Sequence, residues 1–267
     1  MGSCPRADEG LAFMLRYENV AWYERGCVRI LDRRIYPIET RFVTCHTHGE
    51  VAQAIADMVT QSAGPYSAAA MGMALAAHEA AGRADLPDYL ARAAHTLSHA
   101  RPTTVARMER ITGDCLQAAC GALEHGESPE QAIFDYALGM LEHRYRRLSK
   151  TAEHLVDHFP RRGTVMTQCF AETIVGTMLR EAGRRGCDIA LICPETRPYL
   201  QGARLTASVA CDMGVEVTVI TDNMPGHVMA TKGVDLFTSA ADVICMDGHI
   251  VNKVGTFQIA LCADYHG

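Results

Sequence analysis

Glu195-Thr196-Arg197-Pro198-Tyr199-Leu200-Gln201-Gly202-Ala203-Arg204-Leu205-Thr206-Ala207 follows directly on an apolar run at 188–193. It gathers a carboxylate, two guanidiniums, hydroxyls and a glutamine into one turn and the helix start behind it. In an open α/β sheet this is where small anionic ligands bind, because backbone N–H groups and the positive end of the helix dipole face the loop. Working outward, short apolar runs alternate with helical stretches. Strands are expected at 164–168, 188–193, 215–220 and 241–245, and helices at 171–184, 202–213, about 224–231 and 253–266. Strands separated by helices predict parallel βαβ units with right-handed crossovers.

The texture differs before Phe159-Pro160-Arg161-Arg162-Gly163. Residues 18–32 read as a hairpin turning at Glu24-Arg25-Gly26. Thr47-His48-Gly49-Glu50 is a capping box opening a helix to about Met58. Alanine-rich helices follow at 66–82 and 87–99, then one at 104–124. Ser128-Pro129-Glu130-Gln131 is a second capping box, starting a helix to about Arg147, with a short helix at 150–158 beyond it. The fold class expected is α/β. A mostly helical N-terminal domain with a small β-hairpin (1–159) precedes a Rossmann-like, doubly wound parallel sheet (160–267).

Composition narrows the function. Of 267 residues, 48% are hydrophobic and 21% charged, ordinary for a globular chain with a sizeable core. The net charge of -6 disfavours a nucleic-acid partner. The longest apolar run, Tyr66 to Ala77, is too short to cross a bilayer, so no membrane partner is expected. The start, Met1-Gly2-Ser3-Cys4-Pro5-Arg6, lacks an export-signal profile, and the 11 cysteines include no Cys-x-x-Cys pair. Reduced thiols and a cytoplasmic location follow.

Two more segments fall at the carboxyl ends of the expected strands: Gly163-Thr164-Val165-Met166-Thr167-Gln168-Cys169 and Ala241-Asp242 with Asn252-Lys253-Val254-Gly255-Thr256. Cys169 stands before a helix N-terminus, where partial positive charge lowers a thiol pKa and favours proton transfer or attack. With so many cysteines it could equally be a structural core residue. Asp242, expected to open the fourth strand, suits a general acid or base, or simply caps a turn. Gln201-Gly202 and Asn252-Lys253 supply neutral and charged donors to an anion, although a solvated lysine is the bland alternative for Lys253. The pairs His95/His99 and His154/His158 lie at i, i+4, and His46 and His48 precede a helix. A metal would need a third ligand facing them, neither pair is a His-Glu-x-x-His arrangement and their neighbours suggest helix surface, so no metal is expected. The basic run Arg144-Tyr145-Arg146-Arg147 reads as a solvated helix end.

These segments, in this order and spacing, resemble the methylthioribose-1-phosphate isomerase family, whose relatives include ribose-1,5-bisphosphate isomerases and the α/β/δ subunits of initiation factor 2B. Ile220-Thr221-Asp222-Asn223-Met224, the Trp22 hairpin, Ile30-Leu31-Asp32 and Arg101-Pro102-Thr103 extend the resemblance over most of 18–267. It implies an isomerase converting an aldose 1-phosphate, such as methylthioribose 1-phosphate, to the ketose 1-phosphate without a cofactor. Cys169 and Asp242 would flank the sugar, while Arg101, Gln201, Asn252 and Lys253 would hold the phosphate. The partners implied are a small phosphorylated sugar and a second copy in a homodimer. The alternative is a non-catalytic regulatory protein that senses sugar phosphates or nucleotides, as the initiation-factor relatives do. Thr60-Gln61-Ser62-Ala63-Gly64-Pro65 stands where the family carries an Arg-Gly-Ala phosphate loop. Phe170-Ala171-Glu172, Val243 and Asp247-Gly248-His249 also depart from its pattern. The chain stops at Tyr265-His266-Gly267, where the resemblance leads into another strand, so truncation is the expectation.

Overall fold

The computed structural model describes residues 5–267; Met1–Cys4, part of the segment read for an export signal, lie outside the described residues. The chain divides into two compact units. The first takes the chain up to Asp8 and Arg16–Arg144, the second Glu9–Leu15 and Tyr145–Gly267.

The first unit begins with a short helix α1 (Tyr17–Val20) and the antiparallel strands β1 (Ala21–Glu24), β2 (Cys27–Leu31) and β3 (Phe42–Cys45). The hairpin was expected; β3 was not, because Phe42-Val43-Thr44-Cys45 is short and half-exposed. Helices α2 (His48–Ala56), α3 (Gly64–Glu79), α4 (Leu86–Ser98) and α5 (Val105–Glu124) follow, and then α6 (Pro129–Val156), whose residues from Tyr145 on are counted in the second unit. The alanine-rich α3 is central, with Ala68 to Ala77 buried throughout, and α2, α4, α5 and the sheet pack against it. Small side chains let these neighbours approach closely. Thr47 caps α2 by accepting the Glu50 N–H at 3.2 Å, and Ser128 accepts the Gln131 N–H at 3.3 Å. The break expected between 147 and 150 is absent: α6 runs through as one helix. The helix-forming residues Leu148 and Lys150 carry it past Ser149, whose hydroxyl bonds back to the Tyr145 carbonyl.

In the second unit the strands are β4 (Arg162–Met166), β5 (Asp188–Pro194), β6 (Val217–Ile220) and β7 (Leu236–Phe237), parallel and in the order β6-β5-β4-β7. Between them lie α7 (Thr173–Arg184), a π-helical turn (Gly202–Thr206) leading into α8 (Ala207–Asp212), and α9 (Pro225–Lys232). Met166, Ile192 and Ile220 from one face of the sheet form a core with Val228 and Met229 of α9 and Ile259 of the last helix, α10 (Thr256–His266). Glu9–Leu15 joins this unit through a hydrogen bond from Tyr145 Oη to the Leu15 carbonyl at 2.8 Å and one from Arg180 to the Glu9 carbonyl.

The fourth parallel strand lies earlier than expected. It is Leu236–Phe237, aligned on β4 by Asp235 N–H to the Thr164 carbonyl and Thr238 N–H to the Met166 carbonyl. The run at 241–245 instead supplies β8 (Val243–Ile244), which pairs antiparallel with β9 (Ile250–Val251) in a separate ribbon. Both runs are apolar, and apolarity alone does not say which one the sheet takes up. Among the described residues no helix is long and apolar enough to cross a membrane.

The Thr47 cap provides a direct check on the helical unit. Thr47→Ala is expected to lower stability by about 1 kcal/mol in urea unfolding, from loss of a helix cap; an unchanged midpoint would contradict the capping geometry.

Candidate active site

β4 sits between β5 and β7, so the chain leaves the sheet to opposite sides from its two neighbours. Such a reversal opens a crevice at the carboxyl ends of the strands, and ligands of α/β sheets bind there. The connection after β4 carries Gln168 and Cys169, and that after β7 carries Asp242. The β8–β9 ribbon then returns the chain to Asn252 and Lys253.

Four of the seven non-glycine residues with positive φ among the described residues fall in the connections after β4 and β5: Cys169, Glu172, Thr196 and Leu200. Left-handed backbone is costly for such residues and tends to gather at functional sites. Asp222, just past β6, holds the β5 turn in shape. Its two carboxylate oxygens accept the Thr196 and Arg197 N–H groups, each at 2.7 Å. Gly202 is required where it stands, because a Cβ there would lie 1.8 Å from the Pro194 carbonyl oxygen. The π-helical turn thus presses onto the end of β5 and buries Gln201. Arg204 turns back to donate to the Tyr199 carbonyl at 2.7 Å, and burial lowers its pKa.

Cys169 is partly buried, and Thr206 Oγ1 donates to its carbonyl. Burial raises its thiol pKa, partly offset by the Phe170 N–H and by the positive charge of Lys253, while Asp242 and Asp222 push it up further. The lowered thiol pKa expected from sequence is therefore corrected. α7 begins only at Thr173, four residues beyond the sulfur, and loss of water outweighs the helix dipole. The raised value keeps Cys169 a neutral thiol, able to donate a proton.

Asp242 is exposed, and its N–H donates to the Val251 carbonyl at 2.8 Å, which fixes it at the base of the ribbon. The register there, Val243 opposite Val251, sets Asp242 opposite Asn252. Asn252 Nδ2 donates to Thr256 Oγ1 at 3.1 Å, and that hydroxyl donates to the Lys253 carbonyl at 2.8 Å. Of the residues singled out from sequence, Cys169, Asp242 and Lys253 come close enough for the two charges to act on the thiol. Gln201 is buried in the β5 connection of the same unit. Arg101 belongs to the first unit, half-buried in the turn before a 3-10 helix at Pro102–Thr104. Thr60 and Gln61 of the altered loop are also buried there, beneath which fully buried Arg33 donates to the Gln61 carbonyl at 2.8 Å. Sequence reasoning did not single out Gln168, a buried amide adjoining the thiol; a polar residue at the inner end of a strand was the available signal. Among the described residues no group of three or more His, Cys, Asp or Glu side chains is arranged to hold a metal ion.

Comparison with known proteins follows the same lines. The profile described as the initiation factor 2 subunit family matches residues 61–267. The chain is 36% identical over 266 residues to a methylthioribose-1-phosphate isomerase of Roseiflexus castenholzii (strain DSM 13941 / HLO8), an alignment covering 92% of this chain and 73% of that protein. Among solved structures, it is similar to the translation initiation factor eIF-2B subunit delta from A. fulgidus, at 29% identity and a TM-score of 0.77, covering 93% of this chain and 75% of the other. The 5-methylthioribose 1-phosphate isomerase from Pyrococcus horikoshii OT3 is similar at 27% identity and a TM-score of 0.76, covering 96% and 75%. With a family profile over most of its length and an isomerase relative aligned over nearly all of it, the chain belongs to the initiation factor 2 subunit family and, within it, to the methylthioribose-1-phosphate isomerase family of enzymes.

Proposed function

We propose that this chain converts a pentose 1-phosphate, methylthioribose 1-phosphate or a close analogue, to the corresponding ketose 1-phosphate, with Cys169 and Asp242 as its acid–base pair. What supports the reading is a partly buried thiol, its pKa raised by burial, placed at the strand-order reversal and within electrostatic reach of both Asp242 and Lys253. Lys253 and Asn252 hold the phosphate; Gln201, buried in the β5 connection, is assigned to it on the resemblance alone.

The chemistry asks for two proton-handling groups. Phosphate on the anomeric oxygen blocks opening to a free aldehyde, so the bond from C1 to the ring oxygen must break with a proton delivered to that oxygen. The hydrogen on C2 passes to C1, the C2 hydroxyl loses its proton, and C2 becomes the ketone. The buried thiol is the donor to the ring oxygen, and the exposed carboxylate is the acceptor from the C2 hydroxyl. Hydrogen transfer from C2 to C1, by an enediol or a hydride shift, is compatible with this pair.

A homodimer suits the second unit. Ile244, Val254 and Phe257, on the ribbon and on and just before α10, are 77%, 93% and 77% exposed. An isolated two-stranded ribbon with such side chains gains from a covering partner. A cytoplasmic setting suits the ten free cysteines of the described residues.

Incubation with pentose 1-phosphates bearing 5-methylthio, 5-deoxy or 5-phosphate groups, followed by NMR, is expected to show the ketose 1-phosphate. Cys169→Ser and Asp242→Asn should each lower kcat by about 10²–10⁴-fold, as loss of a general acid or base does, with ligand-induced stabilisation retained. Turnover near wild type in either variant would contradict the mechanism, and stabilisation by a ligand that no chain converts would favour the regulatory alternative. Because the donor must stay protonated, activity should persist through the ordinary thiol range and fall only above it, where the raised pKa of Cys169 is reached. An alkaline limb at or below that range would count against the thiol as donor. Light scattering should report a dimer that Ile244→Asp with Phe257→Asp converts to monomer; a monomeric wild type would contradict the dimer.

A further inference from the structure

We propose that Gln168 is the positioning residue of the reaction centre: its amide ties the loop carrying Lys253 to the loop carrying Cys169 and so sets the spacing of thiol and ammonium. This rests on the isomerase reading for its kinetic consequence only.

Gln168 lies in the connection after β4, immediately before the thiol, and is 3% exposed. Its Nε2 donates to the carbonyl of Val254, the residue after Lys253, at 3.1 Å. The backbone comes in to meet it at Gly255, which has a φ of 101°. A Cβ on Gly255 would stand 3.0 Å from Gln168 Nε2, so both the conformation and the close approach call for glycine. Within the loop, Asn252, Thr256 and the Lys253 carbonyl are already joined by side-chain hydrogen bonds. The loop therefore moves as a piece, and the Gln168 amide anchors that piece to the thiol's loop.

The other half of the amide makes the case. Among the described residues Gln168 Oε1 is buried and meets no hydrogen-bond partner. A buried acceptor in that state lowers stability, and a methionine of similar length and volume would avoid the penalty while filling the same space. Stability alone thus argues against glutamine here, and an unsatisfied buried group kept in a native fold points to a functional need. The amide is sealed from solvent, so it positions other groups and does not itself reach a substrate.

The charged and hydrogen-bonding groups that act on the Cys169 thiol are Lys253, Asp242, Asp222 and the Phe170 N–H. Lys253 is the one whose loop Gln168 holds. Release of that loop would weaken the cation's pull and leave the two carboxylates acting.

The test compares the full chain with Gln168→Met and, from the other side of the contact, Gly255→Ala. Three quantities are measured: the pH profile of Cys169 alkylation by iodoacetamide, read peptide by peptide in a mass spectrometer; Tm; and kcat and KM on whichever pentose 1-phosphate the wild type converts. In Gln168→Met the alkylation midpoint is expected to move to higher pH with Tm equal to or above wild type. Gly255→Ala should move the midpoint the same way. The same shift is expected from Lys253→Met, with no further shift when Gln168→Met is added to it. On substrate, Gln168→Met should lose on the order of 10²-fold in kcat/KM, the scale of a misplaced reacting group. An unchanged alkylation profile in both Gln168→Met and Gly255→Ala would overturn the proposal, as would a Gln168→Met chain melting well below wild type. If the midpoint shifts as described while the wild type converts no sugar phosphate, the isomerase reading fails and the positioning role stands.

Discussion

The strand order β6-β5-β4-β7 decides where the loops of the second unit meet. Because β4 has neighbours reached in opposite directions, its outgoing loop is covered by neither crossover, and α/β sheets bind ligands at such a reversal. Asp242, Asp222 and Lys253 come within electrostatic reach of Cys169 there. The thiol arrives on the loop from β4, the carboxylate on the loop from β7, and the cation on the return from the ribbon. Asp222 and Gly202 act from β6 and β5 to hold the remaining wall, one by binding two backbone N–H groups and the other by having no side chain.

The electrostatics of the crevice follow from burial more than from charge count. Cys169 lies within reach of one cation and two carboxylates, and its burial outweighs all three charges. In the proposed reaction a neutral thiol and an exposed carboxylate divide the two proton-handling tasks between unlike groups.

Much of this was legible in the sequence, for stated reasons. Thr47 and Ser128 announced helix starts because a hydroxyl three residues ahead of a glutamate or glutamine meets a free N–H. The Glu195–Gln201 turn was legible as a loop because polar groups are concentrated just past an apolar run, and it follows β5 as expected. What escaped was set by neighbours in space. Leu236–Phe237 and Val243–Ile244 are comparably apolar, and only the hydrogen bonds of Asp235 and Thr238 to β4 decide which joins the sheet. The thiol pKa went astray because sequence gave the proximity of a helix start and not the depth of burial. Gln168 escaped because a buried amide is defined by what it does and does not touch.

On the proposed mechanism Cys169 and Asp242 face each other across a pentose 1-phosphate. A crystal structure of the Cys169→Ser chain with that ligand bound would decide it. The prediction is a sugar whose C1 and C2 lie between the side chains of residues 169 and 242, with its phosphate on Lys253 and Asn252. A ligand seated elsewhere, or with residue 242 turned away from the sugar, would contradict it.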